Sequence, residues 1–91
     1  MSAGLKSLET TRLRVTNPGD QIVAFCLEPW ARLYTLDPHT SVDVVFEADA
    51  PGVPEVFHEP DRIVVYAWPG ANARVLRDGI ELNDSPQKSD T

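Results

Sequence analysis

Cys26, His39 and His58 are the side chains here with the chemistry to hold a soft metal. A type-I copper site needs a Cys and two His, often with a Met, with the Cys and later ligands on one closing loop. Both histidines follow Cys26, neither lies close behind it, and Met1 is the sole methionine, so the copper pattern fails. Zinc needs three or four converging N, S or carboxylate ligands. Cys26, His39 and His58 lie on separate segments and are the ligand set of a metal-binding reading. The competing reading makes Cys26 a small core residue and places the histidines in turns or on the surface. No cofactor is expected.

Nucleophilic catalysis needs a Ser, Cys or Thr beside a base. Ser41 follows His39 by two residues within turn composition, which singles out no pair. Cys26 sits in the apolar run Ile22-Val23-Ala24-Phe25-Cys26-Leu27, where burial raises a thiol's pKa and makes it inert. Carboxylates are plentiful, yet none is set apart as acid or base. The segment from Asp49 to Glu55 is too apolar and too rich in proline for a calcium loop. No glycine-rich phosphate loop is present. The chain is expected not to be an enzyme.

Aromatic residues offer a different chemistry. Glu28-Pro29-Trp30 and Ala67-Trp68-Pro69-Gly70 each set a Trp beside a Pro at the end of an apolar segment. Such residues either plug the ends of a small core or present a contact surface. The second alternative nominates Trp30, Tyr34, Tyr66 and Trp68 as a binding set.

The elements that must position these residues follow a period of two. Leu13 and Val15 alternate with Arg12, Arg14 and Thr16 as in a half-buried strand. Asn17-Pro18-Gly19-Asp20 has the composition of a turn. Residues 22–27 are apolar on both faces, as in a central strand or one covered on both sides, and 62–68 form a further strand apolar on both sides. Residues 32–36 fit a strand better than a helical turn opened by Pro29. Asp37-Pro38-His39-Thr40 turns the chain again. Val42, Val44, Phe46 and Ala48 share one face of the next strand. Val56-Phe57-His58 predicts a short, weak strand. Asp78-Gly79 suits a tight hairpin between 72–77 and 80–82.

Regular short strands with no long helical pattern predict an all-β domain. The expected architecture is a small antiparallel β-sandwich or partly open barrel of about six to eight strands over residues 8–82. Its core should hold Leu13, Val15, Val23, Phe25, Leu27, Val42, Val44, Phe46, Ile63, Val65 and Val75. Residues 1–7 are expected to be flexible, and the polar tail 83–91 disordered.

A length of 91 residues fits one domain. The net charge of −6 is unevenly spread, because Asp43, Glu47, Asp49, Glu55, Glu59 and Asp61 follow one another with no Lys or Arg between them. Such a surface repels phosphate backbones and anionic lipid, so neither nucleic acid nor a membrane is the expected partner. It gives solubility or a docking face for a basic protein. No apolar run approaches the roughly 20 residues of a membrane-spanning helix. With a lone cysteine and no secretory leader pattern, the cytoplasm is the expected compartment. The chain is expected to be a monomer or weak homodimer, with Val45, Val64 or Tyr66 at any dimer interface.

Four motifs carry a resemblance. They are Leu27-Glu28-Pro29-Trp30, Tyr34-Thr35-Leu36-Asp37-Pro38, Tyr66-Ala67-Trp68-Pro69-Gly70 and Arg74-Val75-Leu76-Arg77-Asp78-Gly79. Together they span most of residues 13–82, and the chain resembles a group of small bacterial all-β proteins of unknown function. His39 departs from that pattern, which more usually has a Pro-Gly turn. The resemblance implies no activity, cofactor or catalytic residue. Three readings of function follow: a non-catalytic protein- or ligand-binding module, a structural or accessory β-domain, and a small metal-binding protein.

Overall fold

The alternation of Val42, Val44 and Phe46 is realised in β4 (Thr40–Ala48), one of the two nine-residue strands of the first of two sheets. The computed structural model describes residues 8–83. The arm expected at 1–7, and the polar tail apart from Asn83, lie outside the described residues. The other strands are β1 (Glu9–Asn17), β2 (Val23–Glu28), β3 (Arg32–Leu36), β5 (Glu55–Glu59), β6 (Arg62–Tyr66), β7 (Asn72–Arg77) and β8 (Ile80–Glu81). Two four-stranded sheets, ordered β1-β4-β7-β8 and β3-β2-β6-β5, face each other as a β-sandwich.

Each inner face carries the apolar half of an alternating strand. Val15, Val42, Val44, Phe46, Ala73 and Val75 of the first sheet meet Phe25, Leu27, Tyr34, Leu36, Ile63 and Val65 of the second. Leu13 and Val23 are partly buried against this cluster, so every residue expected in the core contributes to it. A fully buried Phe or Leu contributes about 1.5–3 kcal/mol relative to exposure, and Phe25, Leu27, Leu36 and Phe46 are all at 0%.

β2 and β6 run side by side at the middle of the second sheet, the central position being one of the two readings of the apolar run 22–27. They pair in parallel, Phe25 opposite Ile63 and Leu27 opposite Val65, whereas every other strand pair is antiparallel. The reason is topological. Each is one arm of a hairpin, β2–β3 and β5–β6, and the two hairpins meet along these arms.

Local chemistry closes the turns. Asp78 and Gly79 both adopt positive φ, 52° and 80°, between paired Arg77 and Ile80. That is the type I′ hairpin for which Asp-Gly is suited. His39, with φ 60°, occupies a left-handed position that glycine would fill with less strain. Asn17, only 1% exposed, ties one end of the sandwich. Its Nδ2 donates to the carbonyls of Gln21, Leu36 and Asp37 at 2.7, 3.0 and 3.2 Å, and its Oδ1 accepts the Gly19 N–H at 3.0 Å. One side chain thus joins β1 of the first sheet to β3 of the second.

On the outer face of the first sheet the arginines find acids across strands. Arg14 Nε donates to Asp43 at 2.8 Å, with Arg12 at 3.8 Å from the same carboxylate and Arg74 at 3.6 Å from Glu47. Arg12 and Arg74 flank Val45 in register, and Val45 is 3% exposed.

Candidate functional site

An acidic, aromatic groove lies on the outer face of the second sheet. The β5 alternation puts Glu55, Phe57 and Glu59 on that face, because Val56 and His58 are in register with the inward Val65 and Ile63. Across the ladder, Glu55 faces Tyr66, Phe57 faces Val64 and Glu59 faces Arg62. On the far side of β6, Glu28 is in register with Tyr66 and Cys26 with Val64. Tyr66 therefore stands between two carboxylates, Glu55 and Glu28. These side chains surround a cavity of about 330 Å³.

Buried Val64 lies at the centre of this wall, while Phe57 and Tyr66 stand up from it in an edge-to-face pair with centroids 5.6 Å apart. An exposed pair of this kind keeps an aromatic face open to a ligand. Arg62 is committed to Glu59, Nε to Oε1 at 2.8 Å. The Glu28 carboxylate is oriented from below: Oε1 accepts the Ala31 N–H at 3.2 Å and Oε2 accepts the Cys26 S–H at 3.4 Å. Among the described residues no cation pairs with Glu28 or Glu55. A Lys or Arg side chain laid over Tyr66 would meet a π-face, worth about 0.5–1 kcal/mol at an exposed site, with a carboxylate on each side.

Cys26 lies beside Val64 on the same outer face. Burial and the neighbouring Glu28 carboxylate push its thiol pKa up, so it stays protonated and donates to Glu28 rather than acting as a thiolate.

The four aromatics nominated from the sequence do not form one surface. Tyr66 is 42% exposed and in the groove. Trp30, 37% exposed, sits in the β2–β3 turn at the same end of the sheet, with the Arg32 guanidinium 4.9 Å above its ring. Tyr34 is a core residue at 4% exposure, stacked on Phe25. It leaves the contact set because its strand parity turns it inward. Trp68 is half-buried, 5.3 Å from Phe46, and Gly52 lies against its ring so closely that a Cβ there would fall 2.2 Å from it. It packs the end of the core rather than presenting a face.

The metal-ligand set also comes apart. Cys26 is on the outer side of the second sheet, His58 is on its inner side, and His39 is in the β3–β4 turn bonded to Asp20 at 2.8 Å. Among the described residues no group of three or more His, Cys, Asp or Glu could hold a metal ion. The dimer surface needs a similar correction, since Val45 and Val64 are covered within one chain and only Tyr66 is exposed.

Sequence reasoning missed Phe57, Glu55 and Glu59 as a group. Their signal is the polar-aromatic-polar alternation of Glu55-Phe57-Glu59, two residues apart each time. Among the described residues no helix is long and apolar enough to cross a membrane. No family model, curated protein or solved structure matches the chain.

Proposed function

We propose that this protein is a non-catalytic binding module whose site is the outer groove of the second sheet and whose ligand is a basic side chain of a protein partner. The observation that carries this reading is the placement of Tyr66 between Glu28 and Glu55, beside Phe57, with the one guanidinium of the groove already paired to Glu59. Cation–π attraction and two carboxylates favour Lys or Arg over any anion. Of the acidic run, Glu55 lines the groove and Asp61 lies in the turn at its end, and both add to the field that steers basic partners there, whereas Asp43 and Glu47 lie on the other sheet beside Arg12, Arg14 and Arg74. Nucleic acid and anionic lipid are disfavoured on that ground. The reading includes kinship with the bacterial all-β group and a cytoplasmic setting, the latter supported by a lone free cysteine.

The test is chemical-shift mapping of the labelled protein with a lysine-rich peptide and with its glutamate counterpart. The lysine peptide shifts Glu28, Glu55, Phe57, Val64 and Tyr66, and the shifts shrink as salt is raised. The same shifts with the glutamate peptide, or shifts confined to other faces, overturn the reading.

A further inference from the structure

β5 is the end strand of the second sheet, and all five of its residues are exposed. Glu59 and Arg62 close a two-residue turn of Pro60 and Asp61. Counted from that closing pair, the antiparallel alternation points the N–H and C=O of Glu55, Phe57 and Glu59 toward β6. Those of Val56 and His58 point to the open edge.

The side chains of Val56 and His58 face the interior side of the sheet, yet among the described residues nothing there covers them fully. Val56 is 39% exposed although its register partner Val65 is at 0%. Beyond it, between β5 and the end strand of the other sheet, is a cavity of about 260 Å³ reaching Leu13, Val15, Val56 and Ile63. The sandwich is open along this seam, with apolar inner-face residues at its mouth. A strand added to β5 would lay one face over the seam and the other beside the acidic groove.

We propose that β5 receives an extended segment of a partner protein by strand addition, and that this segment alternates apolar with basic residues. Its apolar side chains enter the seam between β5 and β1. Its basic side chains point outward beside Glu55, Phe57 and Glu59. The backbone bonds go to Val56 and His58, each offering one N–H and one C=O. The inference rests on the groove reading for the basic half of its pattern, and on the open edge and seam for the rest.

Charge argues against a second copy in the same place. In the register that overlaps all five residues of two antiparallel β5 strands, Phe57 meets Phe57 and Glu55 meets Glu59, which sets like charges opposite each other. Pro54 and Pro60 bracket the strand and limit its length. Such an edge discourages unselective pairing while leaving Val56 and His58 available.

The test uses the full chain and three versions of a short peptide alternating Val and Lys: unmodified, N-methylated on the valines, and N-methylated on the lysines. In a strand added antiparallel to β5 the residues opposite Val56 and His58 are the valines, so their N–H groups bond β5 while those of the lysines face solvent. The unmodified and lysine-methylated peptides bind alike and protect the Val56 and His58 amides from hydrogen exchange. Valine methylation weakens binding about tenfold or more. Equal binding of all three, with shifts in the groove, overturns strand addition and leaves the groove reading standing. No binding by any version overturns both. A concentration-dependent dimer that the peptide dissociates, with the same amides protected in the dimer, assigns the edge to a second copy instead.

Discussion

Replacing Asn17 with Ala removes the side chain that fastens the two sheets at one end. The amide has two hydrogens for three carbonyls, at 2.7, 3.0 and 3.2 Å, and its oxygen takes the Gly19 N–H. Counted by capacity, that is about three hydrogen bonds, each contributing about 0.5–1.5 kcal/mol net. The expected loss is about 3 kcal/mol, with the buried Leu36 carbonyl left without its donor. At about 0.05–0.15 kcal/mol per residue the whole domain is stable by about 5–14 kcal/mol, so the variant loses a large share. Its Tm should fall by about 12–24 °C. Urea unfolding followed by circular dichroism measures the loss directly. Asn17→Asp is the sharper probe, because it keeps the shape and puts carboxylate oxygen against carbonyl oxygen. It should be less stable than Asn17→Ala at neutral pH. Surrounded by acceptors, its carboxyl has a raised pKa in the folded state, so stability returns as pH falls and the group protonates. An alanine variant within about 0.5 kcal/mol of wild type, the spread of ordinary surface changes, refutes the reasoning. So does an aspartate variant as stable as wild type at neutral pH.

The two tryptophans should separate by fluorescence: Trp30→Phe leaves blue-shifted, acrylamide-protected emission from Trp68, and adding Gly52→Ala displaces that ring, shifts it to the red and costs about 1–3 kcal/mol. His39→Gly should raise stability by about 0.5 kcal/mol by relieving a left-handed non-glycine residue, which thermal unfolding measures; a loss beyond that size would show that the exposed His39–Asp20 contact outweighs backbone strain. The Arg14 hydrogen bond, aided by the charge of Arg12, holds the Asp43 carboxyl below its ordinary range. A depressed folded pKa adds stability above the unfolded value and loses it as pH falls through the folded one. Acid unfolding of Asp43→Asn should therefore be less steep with pH than that of wild type, and an identical profile would assign the acid sensitivity elsewhere.

What the residues disclosed depended on whether their pattern was local. β4 and the Asp78-Gly79 hairpin were legible because alternation and turn chemistry are written in consecutive residues. Apolarity on both faces fitted a central place for β2, but the pairing of β2 with β6, and its parallel direction, were not legible, since they depend on which arms of distant hairpins meet. The same limit governed the site. Leu33 and Tyr34 are adjacent and apolar, and Val64, Val65 and Tyr66 form an unbroken apolar run. Neither pattern says which parity faces the core. The structure turns Tyr34 inward and Tyr66 outward. Glu55-Phe57-Glu59 did alternate, but with prolines on both sides it read as a weak strand whose neighbours were unknown. The position of Gly52 under Trp68 is a contact between a loop and a strand end that no spacing encodes.

The proposed role of the groove around Tyr66 is to select a basic ligand through its carboxylates and aromatic face. The most direct measurement is calorimetric titration of a lysine-rich peptide into wild type and into Glu28→Gln/Glu55→Gln/Tyr66→Ala, after circular dichroism has established that both are equally folded. Tyr66 and Glu55 are exposed, and Glu28 lies at the groove wall, so the fold should survive the change. Wild-type binding should weaken with salt, and the variant should lose at least about tenfold in affinity, as expected for the removal of one cation–π contact and two charges. Equal affinity of the two proteins at both low and physiological salt would contradict it.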